Sequence, residues 1–404
     1  MISDRNRYRR VTRESYSGPI YLDGHATNPL APEAHAAMEP WWHDQAGNPN
    51  SPHRHGQYAD VAVELARSQV AELVRAVSGE IHFTSGATEA NNLAIIGLAQ
   101  AALARGERRR GIVVSQIEHK SVLGAAYALE RQGFSIMELP VTAQGVIDLQ
   151  MASEAISDGT LLVSTMAANN EIGSVQPVKE INEIAHARGA ICHIDAAQFA
   201  GKLPFDVGSF DLVSLSSHKL YGPMGIGALF VSGSIPYRPH ALLYGGDQEG
   251  GLRPGTLPTP LVVGFGAAAK IAAGQLDVDA RHSAALASRF EAELTERQVR
   301  FARQGIEGHR LPGSVSLTFE DVGASELIAA VSSQISISDG SACQSGQIMP
   351  SHVLRAIGLP RSLAKSTIRL YFGRYNAESD AVRAAEAISA AVAKLRVATG
   401  DTLQ

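Results

Sequence analysis

From Ile20 onward the chain alternates between short apolar runs and longer segments in which apolar residues return every three or four positions. The runs fall at 80–84, 111–115, 160–167, 190–195, 212–216 and 227–231. Continuous apolar runs of this length, bounded by turn residues, read as strands buried on both faces. The intervening three-to-four spacing is that of amphipathic helices, predicted at 58–76, 88–104, 121–132 and 178–188, the second opening on Thr88 and Glu89. Strands alternating with helices predict β/α units that feed a mostly parallel sheet covered by helices on both faces. Such sheets bind ligands at the carboxyl ends of their strands, so the loops directly after each run are where chemistry is expected.

The texture changes after about residue 266. An Ala-rich helix and a Gly-containing linker lead to strand-like segments at 314–319 and 334–338 and a terminal helix at 377–397. The pattern predicts an α/β protein of two domains: a large one, 31–268, around a mainly parallel sheet, and a smaller α+β one from 19–30 and 269–404. Residues 1–18 hold Arg5, Arg7, Arg9, Arg10 and Arg13 against Asp4 and Glu14, with little to fold around, and are expected to form a flexible, solvated arm.

Composition narrows the function. The chain has 404 residues, 45% hydrophobic and 19% charged, with a formal net charge of −5. Nothing in that balance advertises a nucleic-acid or membrane surface, so the expected ligand is a small molecule, with direct nucleic-acid contact through the Arg-rich arm the weaker alternative. No long apolar run or secretory signal is visible, which points to the cytoplasm. Only two cysteines occur, Cys192 and Cys343, so any thiol chemistry rests on one residue and no disulfide framework or Cys-rich metal site is expected. His43, His53, His55 and His352 lack the ordered spacing of a metal site, and none is predicted.

Three segments carry candidate chemistry. GEIHFTSGATE, 79–89, is a strand running through a small turn into a helix, where free backbone N–H groups and the Thr88 hydroxyl suit a phosphate; a plain strand-turn-helix junction has the same composition. ICHIDAAQ, 191–198, ends a strand on Asp195, a carboxylate able to pair with a pyridinium nitrogen or simply to cap a helix, with Gln198 placed to bond a neighbouring ring substituent. LVSLSSHKLYGPMGIG, 212–227, puts Lys219 after a strand among Ser216, Ser217 and His218, where a Schiff-base lysine would sit.

Together with QIEHKSVL, NNEIGSVQPV, GLRPGTLP and SDGSACQSG, these segments resemble the cysteine desulfurases, in order and spacing, from about Tyr21 to Tyr375. Those enzymes have the aspartate-aminotransferase-like fold type I and use pyridoxal 5'-phosphate. The resemblance implies that Lys219 carries the cofactor as a Schiff base, Asp195 pairs with the pyridine nitrogen, His119 stacks on the ring and takes part in catalysis, and Gln198 bonds the phenolic oxygen. Ala87, Thr88, Ser216 and His218 would hold the phosphate, with Thr256 reaching it from the partner subunit of a homodimer. Asn170, beside the cofactor, and Arg369 would clamp the substrate carboxylate. L-Cysteine would be the substrate and Cys343, in a small polar loop, the nucleophile that leaves with the sulfur as a persulfide bound for an acceptor protein. Cys192 and His193, inside an apolar strand, read as structural.

Some features depart from the family pattern. LDGHATNP places His25 near the expected site entrance where relatives show Asn-Ala-Ala or similar, and Met224 stands where housekeeping members tend to have lysine. The sequence ends soon after the last helix, which puts delivery to the iron–sulfur scaffold in doubt. Acceptors in tRNA thiolation, cofactor synthesis or DNA phosphorothioation then compete with iron–sulfur assembly. A lyase working by elimination is the alternative within the fold, and a non-catalytic scaffold the alternative outside enzymology.

Overall fold

The computed structural model describes residues 18–305, 308–339 and 351–400. The Arg-rich arm before Gly18 and the segment holding Cys343 lie outside these residues. In chain order the strands are β1 Ile20–Tyr21, β2 Ile81–Thr84, β3 Gly111–Ser115, β4 Ser135–Leu139, β5 Thr160–Met166, β6 Ile191–Asp195, β7 Leu212–Ser216, β8 Gly227–Val231, β9 Ala302–Arg303, β10 Ser314–Thr318, β11 Ile335–Ser336 and β12 Thr367–Tyr371.

Seven of them build one sheet in the order β2, β8, β7, β6, β5, β3, β4. β3 pairs in parallel with β4 and β5, β5 with β6, and β6 with β7, whereas β8 runs antiparallel to both β7 and β2. The reason is connection length: a parallel return needs a crossover of about a dozen residues or more, and the stretch between β7 and β8 holds only a short 3-10 turn, Ser217–Leu220. Strands β5, β6, β7 and β8 are buried throughout, as a sheet covered on both faces requires. β4, at the edge, alternates exposed and half-buried positions, so no continuous apolar run marks it in the sequence.

Helix Arg54–Val74 starts where the His53 ring accepts a hydrogen bond from Gly56 N at 3.2 Å. It packs against the long helix Thr259–Glu296, which also lies on Pro32–His43. Gly266 allows this approach, since a Cβ there would fall 2.5 Å from Ala66 Cα. The long helix begins before the Ala-rich stretch expected after residue 266, because Pro258 and Thr259 open it. By length and composition it is apolar enough to cross a membrane, yet Val262, Phe265, Ala268 and Ala269 on it are buried against the rest of the protein.

Its far half serves a second core. Leu286, Phe290 and Leu294 pack with Leu22, Leu317, Phe372 and Ile388, beneath a three-stranded antiparallel sheet ordered β12, β10, β9. β1 pairs in parallel with β11, so the segment after Gly18 joins this core. β11 is shorter than the predicted 334–338 strand, because beyond Ser336 the chain turns to meet β12 at the Ser338–Arg369 bridge. Residues 22–31 then cross from the second core to the carboxyl ends of the large sheet, carrying His25 and Ala26 with them.

Candidate active site

Loops from five strands of the large sheet meet residues 25–26 and Arg369 around a cavity of about 530 Å³. Its walls include Ala87, Thr88, His119, Asn170, Asp195, Gln198, Ser216, His218 and Lys219. Of the predicted catalytic, cofactor and substrate residues among those described, Thr256 alone is absent from this lining and lies exposed on its loop. Cys343 is outside the described residues, but its described flanks reach the site: Ser338 and Arg369 bond through their backbones at 2.6 and 3.2 Å, and the Ser351 hydroxyl donates to buried Glu171 at 2.5 Å.

One end of the cavity is built for an anion. β2 leads through Ser85 and Gly86 into an uninterrupted helical run, Ala87–Asn92, Leu93–Gly97 and Leu98–Ala104, whose middle part is π-helical. Its first N–H groups open on the cavity with Thr88 beside them. The Ser216 hydroxyl, buried at the end of β7, has no hydrogen-bond partner. His218 Nδ1 shares a hydrogen bond with the Thr27 hydroxyl at 3.0 Å, and burial, helped by the charges of Lys219 and Lys202, lowers its pKa to about 4.

The opposite wall presents a carboxylate. Asp195 closes β6 and is 6% exposed; Asn91 Nδ2 donates to one oxygen at 2.8 Å and Ala197 N to the other at 3.0 Å, which fixes its plane. Asn91 also donates to the Ser121 hydroxyl at 2.8 Å, and that hydroxyl contacts His119 Nδ1 at 2.8 Å. His119 caps helix Lys120–Ala128 and keeps its ring at the cavity. Desolvation by the walls lowers its pKa, with Asp195 opposing and Lys219 assisting.

Lys219 sits in the 3-10 turn after β7 and donates to the backbone oxygens of His25 and Ala26, both at 2.6 Å. Tyr221, two residues on, holds φ at 67°, a left-handed geometry that a bulky residue adopts only where packing imposes it. Arg369 comes from β12 of the other core, donating to Asn170 O at 3.0 Å and Asp23 Oδ1 at 2.8 Å; its buried Nε has no hydrogen-bond partner.

A lysine amine, a fixed carboxylate, an anion cradle and a buried guanidinium in one cavity are the demands of amino-acid chemistry on a pyridine cofactor, and the comparisons agree. The class-V aminotransferase model matches residues 20–383. The cysteine desulfurase IscS of Rickettsia felis is 45% identical over 381 residues, 94% of this chain and 92% of the relative. The chain belongs to the cysteine desulfurases. A NifS-like protein has a similar solved structure, with TM-score 0.86 and 32% identity over 93% of this chain and 99% of that one. So does SspA, solved in complex with cysteine, with TM-score 0.77 and 38% identity over 89% and 100%.

Enzymes of this family use pyridoxal phosphate, and the residues present fit it. The unpartnered Ser216 hydroxyl, Thr88 and the helix start suit its phosphate, and Asp195 suits the pyridine nitrogen. His25 differs from its expected place: it is not at the entrance but buried, 1% exposed, at the base of the cavity. Segment 22–31 threads between the two cores, a path no local pattern shows. Met224, 69% exposed, lies on the cavity rim. Cys192 is buried in β6, and His193 bridges the hydroxyls of Ser164 and Ser214 at 2.8 and 2.9 Å. Asn91, Glu118, Glu171 and Lys202 were not foreseen from the sequence, since Glu118 and Glu171 stand in polar stretches where nothing marks a carboxylate as buried.

Proposed function

We propose that this desulfurase converts L-cysteine to L-alanine and leaves the sulfur on Cys343 as a persulfide. The observation that carries the reading is the meeting of Lys219, Asp195 and Arg369 in one cavity. Pyridoxal phosphate, held by Lys219, Asp195, Gln198 and the cradle of Ala87, Thr88, Ser216 and His218, would supply the electron sink that labilises an amino acid at Cα. The similar SspA structure holds cysteine, which supports that substrate.

Arg369, with Asn170 beside it, suits the substrate carboxylate, because a guanidinium offers a planar pair of donors and Asp23 and Asn170 O already fix its plane. The Lys219 amine is placed to act as base and acid for the proton at Cα, and His119, on the cavity wall, would lie against the cofactor ring and relay a proton. The Cys343 thiolate attacks the substrate sulfur. The Cβ–S bond breaks, an S–S bond forms, Cβ gains a proton and the electron pair, and alanine leaves while the enzyme sulfur is oxidised to the persulfide level. An acceptor protein then takes the outer sulfur.

The enzyme is read as a homodimer whose sites are shared through Thr256. Tyr58, Val61 and Leu65 form an exposed apolar stripe at helical spacing on Arg54–Val74, and Leu243 and Tyr244 are exposed on the loop leading to Thr256. The test of the activity is alanine and sulfide release from L-cysteine with a thiol reductant. Cys343→Ala should keep the yellow cofactor band and lose sulfide release, and Lys219→Ala should lose both. Equal release by native protein and Cys343→Ala would replace this reading with an elimination lyase.

A further inference from the structure

Behind the cavity the chain buries a second lysine. Lys202 is 6% exposed, its Nζ donates to Gln198 Oε1 at 2.9 Å, and it lies over the Tyr371 ring at 4.6 Å. The charged groups around it are Lys219 and Arg369, both cationic; burial first, then these two, push its pKa well below the usual lysine range. A lysine so placed costs stability in any neutral surroundings, and the hydrogen bond it makes goes to the amide of a site residue.

The Gln198 atom that meets the His25 backbone oxygen is the amide nitrogen, because a carbonyl oxygen only accepts, so the amide oxygen faces the Lys202 amine, which donates to it. The same oxygen lies 3.2 Å from His25 Nδ1, which must therefore carry the ring proton. Burial, with Lys202 and Arg369 adding to it, holds the His25 pKa well below its usual value, so Nε2 is unprotonated and accepts from the Ser314 hydroxyl at 2.9 Å. Gln198 Nε2 gives one hydrogen to the His25 backbone oxygen at 2.8 Å. Its second hydrogen is left for an oxygen in the cavity that Gln198 lines. A flipped amide would set its oxygen against the His25 backbone oxygen, two acceptors with no hydrogen between them.

We propose that Lys202 and His25 are positioning residues that lock the Gln198 amide with its oxygen on themselves and its nitrogen available to the ligand. The proposal rests on the reading above, in which Gln198 meets the phenolic oxygen of pyridoxal phosphate. His25 joins the two cores here, Gln198 belonging to the large sheet and Ser314 to β10, so the orientation of a ligand contact depends on how the cores sit together.

The test is a pH titration of the visible band in protein loaded with pyridoxal phosphate. A donor on the phenolic oxygen favours its anionic form, so losing that donor raises the midpoint. Lys202→Met, which keeps the stem and removes the donor, should raise it by about one pH unit, the scale of one charge-assisted hydrogen bond. The same change in a Gln198→Ala background should add nothing. His25→Ala should behave like Lys202→Met, and His25→Asn, whose amide nitrogen stands where Nδ1 stands, should restore the native midpoint; this pair serves if Lys202→Met does not fold. A native midpoint in Lys202→Met, or a shift that persists without Gln198, would overturn the proposal, the latter showing a direct charge effect of Lys202. Failure of the underlying reading looks different: the native protein would take up no cofactor at Lys219. Nitrogen-15 NMR of the cofactor-free protein still decides the orientation, since His25 should be protonated at Nδ1, and protonation at Nε2 would refute it.

Discussion

Glu118 is fully buried next to His119, and both of its hydrogen bonds fall on one oxygen: the Ser115 hydroxyl at 2.5 Å and Met166 N at 2.8 Å reach Oε1, while Oε2 has no partner. Burial raises its pKa to about 8, with the Asp195 charge adding to the effect and the two hydrogen bonds opposing it. At neutral pH the group is a carboxylic acid. An acid whose pKa is raised by folding keeps the folded protein at full stability below its ordinary value of 4.5 and costs stability as pH rises through 8, because only the unfolded chain gains by releasing the proton. Glu118→Gln keeps the shape and cannot ionise. Its urea midpoint should match that of the native protein near pH 5 and exceed it at pH 8, by stability on the order of a few kcal/mol. A parallel pair of curves over that range would mean that Glu118 is ionised in the folded state.

Among elements, the turn after β2 and the start of β8 meet backbone to backbone beside the site. A Cβ on Gly227 would lie 2.6 Å from Leu215 O and 2.7 Å from the Gly86 backbone, and Gly86 itself holds φ at 153°. Backbone on both sides cannot yield as a flexible side chain would. Gly227→Ala should therefore lower stability by about 1–3 kcal/mol and weaken pyridoxal phosphate binding together, by moving the turn that carries Ala87 and Thr88. Unchanged cofactor affinity in a destabilised variant would show that the cradle does not depend on this contact. The strands that frame this turn were plain in the sequence because they are buried on both faces: β3, β7 and β8 begin and end where their apolar runs do. Lys219, Asp195 and Thr88 were legible for a related reason, each following such a run directly. What was not legible depends on long-range packing. β4 is an edge strand with alternating exposure, the π-helical stretch Leu93–Gly97 has an ordinary helical pattern, and His25 and Lys202 meet Gln198 only because residues 22–31 cross between the cores. A buried lysine without a carboxylate looks, in sequence, like any solvated one.

At the scale of the whole molecule, Thr256 is exposed and does not line the cavity of its own chain. The loop before Thr256 is anchored from behind: Glu249, at φ 52°, is buried, accepts from Phe83 N at 2.6 Å and receives both terminal nitrogens of Arg67 at 2.8 Å. Arg67 stands on helix Arg54–Val74, the helix whose opposite face exposes Tyr58, Val61 and Leu65. One helix thus carries the apolar stripe and, on its other face, the anchor of the Thr256 loop, and the proposed shared dimer requires a twofold partner to meet both. Leu65→Glu should place a charge in the centre of that contact and yield monomers by sedimentation velocity, with thermal stability of the fold little changed because Leu65 is 59% exposed. Monomers made this way should bind pyridoxal phosphate more weakly than the dimer, and Thr256→Val in the native background should reproduce part of that loss without dissociating the dimer. If Leu65→Glu stays dimeric, the interface lies elsewhere; if it dissociates and binds cofactor as tightly as before, the sites are not shared, and Thr256 has no part in holding the phosphate.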